Sequence, residues 1–181
     1  MKFIIAFLSL SAIFAAPASA ALRTWSGTAG NFNDGTKWSG GVAPGSTDTA
    51  AFDATSVTNC TITANATVDK IRISSGYTGT ITQNNTFTLT VGAGGFSQAA
   101  GTFTGGNAKI DLSGTFSLSG GTFTATSDTI FIGGNMTVSG GTFTHNSGKI
   151  KVTGNPTINT GAAIRNHLVI NTSGDVTVTG T

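Results

Sequence analysis

The sequence predicts an all-β fold, specifically a right-handed parallel β-helix (β-solenoid) with three-strand coils of about 20 residues and an amino-terminal cap. Three observations carry that prediction. A tetrapeptide tag returns in constant phase at Gly101, Gly121 and Gly141, apolar and polar residues alternate strictly between the tags, and the composition disfavours helix. Of 181 residues, 26 are Gly and 33 are Thr, and there is no Glu. Gly and Thr are poor helix formers, and the strong formers are scarce. Apolar residues still reach 38% and the net charge is only +2, so the chain has the means to build a core.

Residues 1–20 read as a signal peptide. Lys2 supplies the positive start, Phe3 to Ala16 form an apolar stretch, Pro17 breaks it, and Ala18-Ser19-Ala20 fits the small-x-small cleavage rule. The stretch is short for a membrane span, which needs roughly 20 apolar residues. The expected mature chain begins at Ala21, exported to the cell surface, the medium or the periplasm, with no membrane span of its own. Cys60, the single cysteine, lies far from the cleavage point, which argues against a lipid anchor there and excludes an internal disulfide. Loss of Lys2 brings the charge to +1, which gives no electrostatic basis for a nucleic-acid partner.

Residues 21–60 depart from the repeat and are expected to cap the solenoid. They hold both tryptophans, Trp25 and Trp38, followed by Pro44-Gly45 and Asp48-Thr49-Ala50-Ala51-Phe52. An open solenoid end exposes unpaired strand edges, so an atypical terminal segment is expected there. Residues 61–181 form the repeats. Their first part, 61–91, is transitional, with Ile62, Val68, Ile71, Ile73, Ile81, Leu89 and Val91 on alternating positions.

The clean repeat starts at Gly101-Thr102-Phe103-Thr104 and recurs from Gly121 and Gly141. Between the tags, Ile110 and Leu112 align with Ile130 and Ile132, then with Ile150 and Val152. Phe116 and Leu118 align with Met136 and Val138, then with Pro156 and Ile158; the register extends back to Phe96 and Gln98 and forward to Val176 and Val178. Alternation of period two marks strands with one buried face. Pairs such as Gly120-Gly121 and Gly133-Gly134 suit the corners between them. One coil alone buries too little apolar surface to offset the entropy of ordering it, so the coils must stack. A β-sandwich of repetitive strands is the alternative, and the constant phase favours the solenoid.

Two residues fit poorly. Pro156 and Gln98 fall on inward slots, and Pro cannot donate to a ladder. Beyond Gly161 the phase slips by two, and an insertion near Thr172-Ser173 restores it. The chain stops partway through a unit at Thr181, as expected of a fragment of a longer protein.

A signal peptide, a Trp-rich opening with Gly-Gly-Val-Ala-Pro-Gly and Asp48-Thr-Ala-Ala-Phe52, and then Gly-Thr-Phe-Thr coils resemble bacterial exported β-solenoid surface proteins of the adhesin and autotransporter-passenger group. The resemblance implies cell-surface display and adhesion, with host or cell-surface glycans or proteins as partners.

The residues themselves offer little for catalysis, and no enzyme activity and no cofactor are expected. In the constant phase Asp111 aligns with Phe131 and Lys151, and Asp128 with Ala108 and Gly148, so no carboxylates stack as polysaccharide-acting β-helix enzymes need. Asp48 and Asp53 form the one close pair and read as turn and cap ligands. His145 and His167 share no coil position, and no metal-binding cluster stands out. Two binding alternatives remain. If the tag Phe points inward, Thr102 and Thr104, Thr122 and Thr124, and Thr142 and Thr144 form two outward files, the kind of grid that ice-binding proteins present to water. Trp25 and Trp38 could form a platform for a sugar ring, with burial in the cap as the plainer reading.

Overall fold

The computed structural model describes residues 19–153 and the backbone of three later strands, Thr157–Asn159, Leu168–Asn171 and Thr177–Thr179. The expected signal-peptide body, Pro156 and the phase-slip segments lie outside the described residues. The chain is all-β and winds into a β-solenoid of about 5 turns, with about 21 residues per turn.

Every pairing between the described strands is parallel, and the pairings define three faces. One face is a six-stranded sheet of β2 (Gly30–Asn31), β4 (Cys60–Ile62), β6 (Thr80–Gln83), β8 (Thr102–Thr104), β11 (Thr122–Thr124) and β14 (Thr142–Thr144). A second face stacks the first halves of β5 (Ala66–Ile73) and β7 (Leu89–Gln98) with β9 (Ile110–Leu112), β12 (Thr129–Ile132), β15 (Lys149–Thr153) and β17 (Leu168–Asn171). The third stacks β1 (Leu22–Thr24), β3 (Thr49–Phe52), the second halves of β5 and β7, β10 (Phe116–Leu118), β13 (Met136–Val138), β16 (Thr157–Asn159) and β18 (Thr177–Thr179). Because β5 and β7 run around a corner without breaking, the second and third faces belong to one twelve-stranded sheet.

The alternation of the sequence becomes an inside and an outside. Phe103, Phe123 and Phe143 point in and stack at centroid separations of 4.9 and 5.4 Å. Phe96 and Phe116 stack 5.6 Å apart on the third face and meet the first column edge-on, Phe116 to Phe123 at 4.8 Å. Offset and edge-on rings are the favoured aromatic geometries, so each coil locks the next. All seven apolar residues of the transitional stretch are buried as well.

The constant phase holds from Phe96 through Val152, where Phe96 lies opposite Phe116 and Ile130 opposite Ile150. Earlier coils are longer. Leu22 pairs with Thr49, Gly30 with Cys60, Ile71 with Phe96 and Ile81 with Phe103. The extra residues form two short 3-10 helices, Gly35–Lys37 and Ser39–Gly41, and a bulge where Gly92 to Gly94 pass Asp69. The Trp-bearing segment therefore stacks into the same ladders as the repeats, through β1, β2 and β3.

Of the two misfit residues, Gln98 keeps the ladder intact, and Pro156 lies outside the described residues. Strand β16 begins after Pro156 and runs two residues out of phase, so that Ile158 lies opposite Met136. The expected alignment of Pro156 with Met136, and of Ile158 with Val138, is corrected by this register. Ile158 then meets Val178, and Ile150 meets Leu168, at the spacings the sequence suggests. Gln98 pairs in register between Ile73 and Leu118, and it is buried. Its Nε2 donates to the carbonyls of Ala100 and Gly101 at the corner into β8 and of Thr122 at the start of β11, at 3.0–3.2 Å. Gln83 does the same one corner away, reaching the carbonyls of Phe87, Ala108 and Lys109 and accepting from Gly106 N–H.

Candidate functional site

The outward side chains of the first face form the most regular surface among the described residues. Thr102, Thr122 and Thr142 stand in register, as do Thr104, Thr124 and Thr144. The pairs on β8 and β11 are half-buried, and the pair on β14 is exposed. Parallel pairing sets neighbouring coils about 4.8 Å apart, and alternate residues of one strand about 6.6 Å apart. The six threonines thus form a two-column grid held by a packed Phe column beneath it.

The grid is longer than the tags suggest. Thr80 pairs with Thr102, Thr82 with Thr104, and Thr61 with Thr82. One column therefore runs Thr61, Thr82, Thr104, Thr124, Thr144; the other runs Thr80, Thr102, Thr122, Thr142. Asn59 extends the second column, its Oδ1 accepting the Thr80 N–H at 3.0 Å. The signal is present in the sequence as Gly79-Thr80-Ile81-Thr82, a tag with Ile for Phe that falls out of the constant phase. A search at that phase passes over it.

No titratable side chain stands among these outward positions, in contrast to the second face. There the outward columns hold Thr90, Asp111, Phe131 and Lys151 in one file, with Lys109, Thr129 and Lys149 beside it. Lys109 pairs with Asp111 at 3.0 Å, and the Lys109 and Lys151 ammonium groups lie 5.8 and 5.5 Å from the Phe131 ring centre. The third face presents Arg72 and then small hydroxyls, Ser97, Ser117 and Thr137, in one file.

The expectation of a tryptophan sugar platform is overturned. Trp25 and Trp38 are 0% and 2% exposed and pack edge-to-face on each other at 5.1 Å. Phe52 packs on both and Phe32 on Trp38, with Tyr77 behind Phe52. Both indole N–H groups are used internally, Trp25 donating to the carbonyl and hydroxyl of Thr58 and Trp38 to the Phe32 carbonyl at 2.7 Å. These are the largest apolar groups of the longest coils, and their faces fill the interior that shorter coils fill with Phe.

The carboxylates are dispersed and mostly serve turns. Asp34 accepts from the Thr36 hydroxyl and N–H, which hold its carboxyl below the usual range. Asp53 is lowered in the same way by Thr55. Asp48 is nearly buried and accepts from the N–H groups of Gly45 at 3.0 Å and Ala21 at 2.8 Å, with Arg23 Nε at 3.6 Å. The Gly45 N–H is the largest cause of its lowered pKa; burial opposes it. Among the described residues no three His, Cys, Asp or Glu side chains converge on a point that could hold a metal ion. His145 closes its own turn, its Nδ1 accepting the Ser147 N–H at 2.9 Å.

No family model, no curated protein and no solved structure matches the chain. The class rests on the coils themselves, which make this a parallel β-solenoid repeat protein.

Proposed function

We propose that the chain is a non-enzymatic, exported β-solenoid segment of a cell-surface or secreted protein, acting as a rigid stalk with an adhesive face. The observation that supports this reading most is the uncharged Thr grid, carried in register from Thr61 to Thr144. Four successive coils present the same pair of hydroxyls, each contact is weak, and the sum over coils supplies affinity. Glycans or proteins of a cell surface, rich in hydroxyl and amide groups, are partners of matching chemistry. The likeness to adhesins and autotransporter passengers points the same way.

The test is binding of the purified protein to arrayed glycans and to intact cells, set beside a variant with Thr104→Glu and Thr124→Glu. Both substitutions are outward, so the fold is retained, and retention on the array should fall at least tenfold. Equal binding by the variant, or depolymerisation of a polysaccharide by the wild type, would remove the proposal.

A second reading is favoured by the length of the grid. Four coils carry the Thr pair in register, and a flat hydroxyl and methyl lattice is suited to ordering water into ice. Thermal hysteresis and inhibition of ice recrystallisation decide it. Ordinary crystal growth at high protein concentration excludes ice binding and leaves the adhesive reading in place.

A further inference from the structure

The expected cleavage point and the first ladder contact fall on the same peptide bond. Ser19 and Ala20 are exposed, whereas Ala21 is half-buried and is the first residue held by the fold. Its carbonyl accepts the Thr49 N–H at 2.8 Å, and its nitrogen lies 2.8 Å from Asp48 Oδ1. Asp48 is only 7% exposed, a carboxylate withdrawn from water. The charge nearest to it is incompletely used. Arg23 Nε stands 3.6 Å from Asp48 Oδ2, beyond hydrogen-bond distance, and is itself buried without a hydrogen-bond partner. A buried carboxylate in this position is short of cationic hydrogen-bond donors.

We infer that Asp48 is a receptor site for the α-amino group released at Ala21 when the signal peptide is removed. The inference rests on the exported reading given above. In the cleavage an endopeptidase of the exporting membrane adds water across the Ala20–Ala21 bond. The hydroxyl goes to the Ala20 carbonyl carbon, which leaves as a carboxylate, and the Ala21 nitrogen takes the proton and becomes an ammonium at neutral pH. That nitrogen already stands at hydrogen-bond distance from Asp48, so an amide hydrogen bond becomes a charge-assisted one without movement of the chain. Processing then strengthens the contact that ties β1 to the loop before β3. An uncleaved or extended chain keeps only the neutral bond.

The groups around Asp48 set the sign of the pH dependence. Arg23 on β1 is the charged side chain within ion-pair distance, and on the adjacent β5 the N–H groups of Asp69 and Lys70 bond the Asp48 carbonyl. The α-amino group gains a buried carboxylate partner, so its pKa in the folded chain rises above the ordinary value of about 7.7–8.0. The added stability is therefore complete below about pH 7.7 and disappears as pH rises through the folded value.

The test uses the full chain exported with its own leader, followed by amino-terminal sequencing and titration of the Ala21 α-amino group by NMR. The expected result is a start at Ala21 and an α-amino pKa at least one unit above that of the unfolded chain, a tenfold gain in folding equilibrium at pH 6. In Asp48→Asn, and in wild type carrying a Gly-Ser extension before Ala21, the gain between pH 9 and pH 6 is lost. An ordinary α-amino pKa on a chain that starts at Ala21 overturns the inference and leaves export standing. A mature start elsewhere overturns both the inference and the assigned cleavage point.

Discussion

At the residue scale, two phenylalanines on successive strands of different faces meet opposite environments. Phe123 is enclosed by four other phenylalanines, with Phe103 and Phe143 stacked on its faces. Phe131, on β12, lies outward beneath two lysines. Phe123→Ala should cost about 3–5 kcal/mol, because the column above and below cannot collapse into the gap. Phe131→Ala forfeits surface cation–π contacts and should cost under about 1 kcal/mol. Urea unfolding of the two variants measures the contrast, and equal losses would contradict the assigned faces. Cys60 makes a second residue-level case. Its side chain is fully buried on β4, and burial pushes the thiol well above its ordinary range. It should resist thiol reagents at pH 8 in the native protein and react completely in denaturant. Labelling of the native protein at the rate of a free cysteine would show that β4 opens readily.

At the element scale, the corners explain the polar residues that interrupt the inward pattern. A corner turns backbone carbonyls into the interior, and an unsatisfied buried carbonyl costs about 1–3 kcal/mol. Gln83 and Gln98 answer that cost from neighbouring strands, each spreading its Nε2 over three carbonyls. Gln83→Leu should therefore destabilise by about 1–3 kcal/mol although it makes the core more apolar. Thermal unfolding of that variant checks the direction, and a rise in Tm would mean the corner carbonyls find water. This logic is not legible in the chain. Alternation reveals which positions point inward, so Gln98 reads as misplaced; only the corner geometry shows the carbonyls it serves. The strands of the repeats are legible because Phe103, Ile110 and Phe116 recur at one spacing. Thr61, Thr80 and Thr82 escape because the earlier coils are longer, which moves the same face out of phase. The tryptophans are ambiguous for another reason. Large aromatic groups suit a sugar platform and a core equally well, and only the burial of Trp25 and Trp38 against each other, Phe32 and Phe52 separates the two.

At the scale of the whole molecule, the three faces differ in chemistry while sharing one interior: a hydroxyl grid, a lysine file around Phe131, and a row of small hydroxyls headed by Arg72. The continuous strands β5 and β7 join two of those faces at the start of the stack. Repeat proteins gain stability as the sum of the coils and the interfaces between neighbours. The unequal coil lengths described above carry a consequence for assembly. Coils of one constant length offer each other nearly identical partners, and nothing in their own spacing forbids a coil from stacking on the wrong neighbour. The longer first coils fit one partner each, so they act as an address that fixes where stacking starts. The later ones are interchangeable parts. Removing residues 105–124 brings Thr104 to the place of Thr124, sets β8 opposite β14 as β11 now stands, and presents β7 to β12 and β13. The shortened chain should fold cooperatively, with a urea m-value reduced in proportion to the lost coil. A similar cut among the first coils should leave no folded product, since a unique address has no spare copy.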